Sequence, residues 1–325
     1  MLKTTTVGSF PKSEELKAAR TKVRRKQMDP AELHAIERAE TKEWIEIQEE
    51  IGIDILVDGE LYRGDMATYF AENIEGFSIS SLVRSYGNRY YRKPVAVGSV
   101  RWKGPITVEW FRYAQGLTKR PVKGMLTGPY TMMDWSFDEH YPNRRAFCLA
   151  LAEVIHQEVK ALEEAGATFI QIDEPAVSTR PKEVELAVEA MKIVTKGVKA
   201  QTGTHICYGD FDKVYPQILD LAVDQIDLEF ANSNFALLDQ IRKHPFTKEV
   251  GFGVIDVHSH RAESVEEIKT AIRKGLELFP PERLYIDPDC GLKTRQKEEV
   301  IAKLTNMVTA VREVRKEIGV PVFDT

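Results

Sequence analysis

Thr168-Phe169-Ile170-Gln171-Ile172, closed by Asp173-Glu174-Pro175, is the stretch on which the reading of this chain turns. It is a short, largely apolar run that ends on turn-forming residues, and it reads as a strand. Upstream, residues 144–165 place Phe147, Leu151, Val154 and Leu162 on one helical face. Downstream, a second helical stretch over about 182–200 leads to another apolar run at 203–207. Short apolar strands alternating with amphipathic helices imply a parallel sheet.

The same alternation extends in both directions. Strands are expected at 3–7, 53–57, 122–126, 225–228, 250–255 and 284–286. Asp29-Pro30 reads as an N-cap with proline at the first helical position, and Gly52 ends that helix. Further helices are expected at 107–116, around Val214, Ile218 and Leu221, and at 235–241. Ser264 with Glu267 forms a capping box for the next helix, and the last carries Val300, Leu304, Met307, Val311, Val314 and Ile318. Eight strands, each followed by a helix, predict a closed (β/α)8 TIM barrel forming one catalytic domain over 1–325. An irregular insert at 78–104, between the second and third strands, could form a hairpin or a flap. The alternative is a doubly wound open sheet. Its nucleotide-binding version lacks support, because no GxGxxG or GxxxxGK[ST] loop follows any strand.

The chain has 325 residues, of which 43% are hydrophobic and 29% charged, with a net charge of −5. Charges of both signs are mixed along its length, which argues against a nucleic-acid surface. No apolar run is long enough to cross a membrane, and no signal peptide opens the chain. Three scattered cysteines cannot make a disulfide framework, which fits a reducing cytoplasm where thiols are free to bind metal.

Barrel active sites lie at the C-terminal ends of the strands. Those ends carry Gly8-Ser9, Asp58-Gly59-Glu60, Asp173-Glu174, His205 with Cys207, Glu229, Asp256 with His258, and Asp289-Cys290. Imidazole, thiolate and carboxylate are zinc ligands, so His205, Cys207, Glu229 and Cys290 form a candidate Zn²⁺ site; each could instead be an ordinary buried side chain. Such a donor set is a poor generator of hydroxide and better suited to deprotonating a substrate thiol. Among Glu60, Asp173 and Glu174, some could bind an amino-acid ammonium while others cap helices, and the Gly8-Ser9 turn could offer N–H groups to a carboxylate. His258 could be a general acid or a group that orients a carboxylate, and Trp135 could stack a flat heterocycle or pack on the rim. Cys148 reads as helix packing.

These residues resemble the cobalamin-independent methionine synthases, over nearly the whole chain and in the catalytic C-terminal barrel of the long enzymes. The motifs that carry the resemblance include Thr4-Thr5-Thr6-Val7-Gly8-Ser9-Phe10-Pro11, Gln171-Ile172-Asp173-Glu174-Pro175, Thr204-His205-Ile206-Cys207-Tyr208 and Pro288-Asp289-Cys290-Gly291. The resemblance implies zinc held by His205, Cys207, Glu229 and Cys290. It implies L-homocysteine bound at Val7, Gly8, Ser9, Glu60 and Asp173, methylation of its sulfur to L-methionine, and proton donation by His258. Methyl-donor contacts are implied at Arg89 and Trp135. Two donor positions depart from the family pattern, Tyr90 where it has Cys and Thr179 where it has Glu, and the second barrel of the long enzymes is not in this chain. On that ground a methylcorrinoid donor (methylcobalamin, or a corrinoid protein) is expected slightly ahead of 5-methyltetrahydrofolate. The other readings are a related zinc barrel acting on another thiol such as coenzyme M, and a non-catalytic thiol- or zinc-binding subunit.

Overall fold

The helical spacing of Phe147, Leu151, Val154 and Leu162 turns all four side chains inward, and all four are buried. In the computed structural model, which describes residues 2–84 and 90–320, they belong to a helix that covers one face of a parallel sheet. In chain order the first elements are β1 (Lys3–Thr4), α1 (Glu14–Arg24), α2 (Pro30–Ile51), α3 (Met66–Asn73), β2 (Ile74–Arg84), β3 (Tyr90–Trp102) and α4 (Val108–Gly116). Next come β4 (Gly124–Thr127), α5 (Pro129–Asp134), β5 (Phe137–Asp138), α6 (Arg144–Glu164), β6 (Phe169–Asp173), α7 (Val184–Val194) and β7 (Gln201–Ile206). The last are β8 (Gln225–Leu228), α8 (Leu237–Lys243), β9 (Glu249–Ile255), α9 (Val265–Leu276), β10 (Leu284–Pro288) and α10 (Lys297–Glu317).

Seven strands form one parallel sheet in the order β1-β10-β9-β8-β7-β6-β4. The expected second strand, 53–57, is corrected to a single parallel bridge, Leu56 to Val122. Its backbone is shared between the sheet's two edges. Leu56 N–H donates to Pro121 O and Lys123 N–H to Leu56 O, each at 2.9 Å, while Ile55 N–H donates to Thr4 O at 3.1 Å. Asp54 meanwhile accepts from the Thr4 N–H at 2.7 Å and from Arg315, so its side chain anchors the segment sideways. The curled sheet thus brings both edge strands to one segment.

The expected helix around Val214–Leu221 is also corrected. The segment resolves into two short 3-10 turns, Phe211–Lys213 and Gln217–Asp220, with Pro216 between them at the N-cap of the second. Not every strand is therefore followed by an α-helix. The insert is an antiparallel pair, β2 with β3, extended by β5. At Gly76 (φ +92°) the pairing shifts register, and a Cβ there would come within 2.5 Å of the Ser99 carbonyl oxygen, so glycine is required. Arg89 lies outside the described residues.

Strands β4, β6, β8 and β10 are buried on both faces, covered by helices outside and by the sheet's own curl inside. The outward face packs on the helices. Inside, near the N-terminal ends of the strands, Ile55, Phe169 and Tyr285 make a small apolar cluster. The interior beyond it also carries buried polar side chains, Lys123, Gln171, Gln225, Asp227 and Asp287. No helix among the described residues is long and apolar enough to span a membrane.

One buried carboxylate ties the insert to the sheet's helical coat. Glu158 of α6 accepts from Trp102 Nε1 (2.9 Å), Ile106 N–H (2.9 Å), Thr107 N–H (2.8 Å) and the Thr107 hydroxyl (2.9 Å). Glu158→Gln turns an acceptor into a donor that faces other donors, and should cost about 2 kcal/mol of unfolding free energy in a denaturant titration. An unchanged midpoint would show that this hub does not anchor the insert.

Candidate active site

His205 ends β7 with Ile206, and Cys207 follows two residues after it, so both side chains leave the same face of the strand. Cys290 arrives from the turn after β10. The ligand atoms of His205, Cys207 and Cys290 all lie within 4.8 Å of one another, and the two sulfurs are 3.7 Å apart. His205 Nδ1 meets Asp227 Oδ1 at 3.1 Å, which leaves Nε2 as the open ring nitrogen; it is buried without a hydrogen-bond partner. Glu229, one residue past β8, is outside that tight group. Its Oε1 accepts from the Tyr208 N–H at 2.8 Å, and its Oε2 is likewise buried and unpartnered. Two buried polar atoms without hydrogen-bond partners beside two thiols fit a bound cation, and an N, S, S, O donor set suits zinc.

The local field prepares these donors. Cys290 is held well below the usual thiol range by the Cys207 thiol beside it and by His205, while its partner Cys207 is pushed well above that range by Cys290 and by burial. Burial works against a charged His205, but the carboxylate of Asp227 outweighs it and raises the imidazole well above its ordinary value. Burial also raises Glu229. The backbone supports the arrangement: Tyr208 sits at φ +51°, unusual for a non-glycine residue, and this turn aims its N–H at Glu229. Asp289 accepts from the N–H groups of Phe230, Ala231 and Asn232 at 3.0, 3.0 and 2.6 Å, pinning the Glu229 loop to the Cys290 turn.

A second group of residues adjoins the first. A Cβ on Gly8 would stand 2.9 Å from Glu60 Oε1, so Gly8 and Glu60 are in contact because the glycine has no side chain. Gly291 abuts the Ser9 hydroxyl in the same way, and Ser9 O accepts from the Leu292 N–H at 2.7 Å. Glu60 itself adopts φ +55° and is held by Arg63 Nη1 at 3.1 Å. Asp173 ends β6 and accepts from Gln171 Nε2 at 2.8 Å; the same nitrogen donates to Val7 O at 2.7 Å. Burial pushes Asp173 up to about 7, with the charge of Glu60 adding to the effect against His205 and Arg63. Asp173 in turn helps raise Cys207, and the Glu174 N–H donates to His205 O at 3.0 Å, so the strand ends that carry the carboxylate and the thiol lie side by side.

The remaining candidates are placed less centrally. Glu174 spends its oxygens on the N–H groups of Tyr130 (3.0 Å) and Thr131 (2.7 Å) at the start of α5, a capping arrangement. His258 is exposed on the rim, its ring 5.4 Å from that of Tyr208, and its charge acts on Glu229. Trp135 follows α5, partly buried against the core. Cys148 is buried within α6. Sequence reading gave no role to Arg63, Lys123, Gln171, Asp227 or Asp287. A signal for three of them exists: Gln171, Asp227 and Asp287 each stand two residues before Asp173, Glu229 and Asp289, on the strand face that already carries a candidate group.

Comparison with known proteins adds the lineage. The profile of the family described as "Cobalamin-independent synthase, Catalytic domain" matches residues 2–313. The 5-methyltetrahydropteroyltriglutamate–homocysteine methyltransferase of Bacillus velezensis is 43% identical over 98% of this chain, which spans 43% of that protein's length. The methionine synthase of Pyrococcus furiosus is 42% identical, covering 98% of this chain and 94% of its own. A solved B12-independent methionine synthase from Shewanella sp. W3-18-1, in complex with selenomethionine, superposes with a TM-score of 0.86 at 28% identity, over 98% of this chain and 99% of that one. These matches correct the preference for a methylcorrinoid donor. The matched family is cobalamin-independent by description, and the Bacillus relative carries a pteroyltriglutamate donor in its name. By the match over 2–313 and these identities, the chain belongs to the family of the cobalamin-independent synthase catalytic domain.

Proposed function

We propose that this protein methylates the sulfur of L-homocysteine to give L-methionine, with a 5-methyltetrahydropteroylglutamate as donor. The observation that carries the reading is the adjacency of two groups of side chains: the thiol-and-imidazole cluster lies at the strand ends next to Asp173, on which both His205 and Glu60 act. The names of the relatives and the selenomethionine bound to the Shewanella enzyme support it. The backbone bonds from 55–56 to both edge strands support a closed (β/α)8 barrel, and we take 1–325 as one catalytic domain working among reduced thiols in the cytoplasm.

His205, Cys207, Glu229 and Cys290 would hold a zinc ion. Bound there, zinc supplies Lewis acidity that favours the deprotonated form of a thiol whose free pKa is about 8.5. The protein's own residues do the rest. Asp173 and Glu60 take the substrate ammonium, and the backbone of Val7-Gly8-Ser9 takes its carboxylate. This leaves the sulfur end of the amino acid turned toward the thiol cluster. Trp135 and Arg89 bind the donor's flat ring system and its polar edge. As the S–CH₃ bond forms and the N5–CH₃ bond breaks, the departing nitrogen needs a proton, and His258 on the rim is the group to give it.

Purified protein should carry about one zinc per chain and form methionine from homocysteine and 5-methyltetrahydropteroyltriglutamate. Zinc-loaded protein that forms no methionine from these two substrates would refute the proposal.

A further inference from the structure

Two buried side chains next to this pocket are absent from the proposed chemistry. Lys123 and Gln171 are each 1% exposed, inside the curled sheet. Lys123 Nζ donates to Gln171 Oε1 at 2.7 Å and to Thr6 O at 3.1 Å, and the Phe169 ring lies 5.1 Å from it. A lysine ammonium has donors only, so the carboxamide of Gln171 must present its oxygen to Lys123. Its nitrogen must then point the other way. There its N–H groups reach Val7 O at 2.7 Å and Asp173 Oδ1 at 2.8 Å. The amide orientation, which symmetry would otherwise leave open, is dictated by the cation behind it.

This bond set has a geometric consequence. Both N–H groups of one planar amide are committed, one to the chain that leads into Gly8-Ser9 and one to the carboxylate of Asp173. The two ends of an amino-acid pocket, one for its carboxylate and one for its ammonium, are therefore held at a fixed separation by a single side chain. Oδ1 of Asp173 is occupied as an acceptor, and no hydrogen bond engages Oδ2 among the described residues. We propose that Gln171, oriented by Lys123, is the positioning residue of the amino-acid pocket: it presents Asp173 Oδ2 to the substrate ammonium and sets its distance from the Val7–Ser9 backbone. The inference rests on the reading of that pocket given under Proposed function.

Gln171→Glu tests it. The variant keeps the shape and keeps an acceptor at Lys123, now as an ion pair, but removes both donors and turns a carboxylate oxygen toward Asp173. Calorimetric titration of the zinc-loaded protein with L-methionine should show Kd raised at least about tenfold. KM for homocysteine should rise in step while kcat changes by less than about threefold, because the group acts on binding geometry rather than on the transfer itself. Zinc content should equal that of wild type. Lys123→Met, which frees the amide to turn over, should weaken methionine binding in the same direction. Should Q171E not fold, Gln171→Met, similar in volume and without donors, is read by the same titration. Methionine binding at wild-type strength in these variants would overturn the proposal. So would parallel loss of zinc and methionine, or failure of both Gln171 variants to fold, since either marks a role in the fold alone. Wild-type protein that binds zinc but neither homocysteine nor methionine would instead refute the pocket itself, and this inference with it.

Discussion

Cys207→Ser protein should purify without stoichiometric zinc and form methionine at least about a thousandfold more slowly than wild type. The serine oxygen is a harder donor that stays protonated at neutral pH, whereas the site brings two sulfurs to 3.7 Å and leaves His205 Nε2 and Glu229 Oε2 without partners. On the proposed reading, removing one sulfur would leave three donors with one thiolate among them, and the substrate thiol would lose its activation. The fold should survive, because serine is nearly isosteric with this cysteine. Metal analysis on freshly purified protein, with a methionine-formation assay, measures both effects. Cys148→Ser is the matched control: it perturbs the apolar packing of α6, so its melting temperature should fall while its zinc content stays that of wild type. A Cys207→Ser protein with full zinc and full turnover would remove the sulfur cluster from the mechanism.

Asp173→Asn should act in opposite directions on binding and stability. Its neutral amide cannot pair with an ammonium, so affinity for L-methionine should fall by about a hundredfold. The same change removes a buried carboxylate that burial pushes up to about 7. The native state holds the proton more tightly than the unfolded chain, so ionisation costs stability. The cost is absent below about pH 4, grows as pH rises, and is complete above about 7. Metal-free D173N should therefore be more stable than metal-free wild type by on the order of 2–4 kcal/mol at pH 8, and equal to it near pH 4. Denaturant unfolding at the two pH values tests this. An Asp173→Asn protein that loses stability at pH 8 would show that the carboxylate is not held against its solvation preference.

How far the sequence carries depends on the range of the rule applied. Helical and strand periods are local, so residues 144–165 and 168–172 could be assigned from their own spacing, and so could the capping box at Ser264 and Glu267. The insert was legible as either a hairpin or a flap, and the antiparallel pair of β2 with β3 decides for the first; its register was not legible, because it depends on bulges such as the one at Gly76. The 53–57 run has the composition of a strand and becomes a bridge only because two neighbours divide its hydrogen bonds between them. Pro216 was visible throughout, and it stands between the two 3-10 turns, at the N-cap of the second, where a continuous helix was expected.

The candidate site divides in the same way. By itself the sequence determined the donor types, their places at strand ends, and the shared face of His205 and Cys207, since each follows from chemistry and a two-residue period. Only the tertiary structure decided that Cys290, 83 residues beyond Cys207, meets it at 3.7 Å, that Glu174 is spent on capping α5, and that Lys123 and Gln171 lie buried behind Asp173. Which strand ends converge is set by the order and curl of the sheet. Whether a polar side chain serves substrate or backbone is set by which partners already satisfy it, and those partners come from distant parts of the chain.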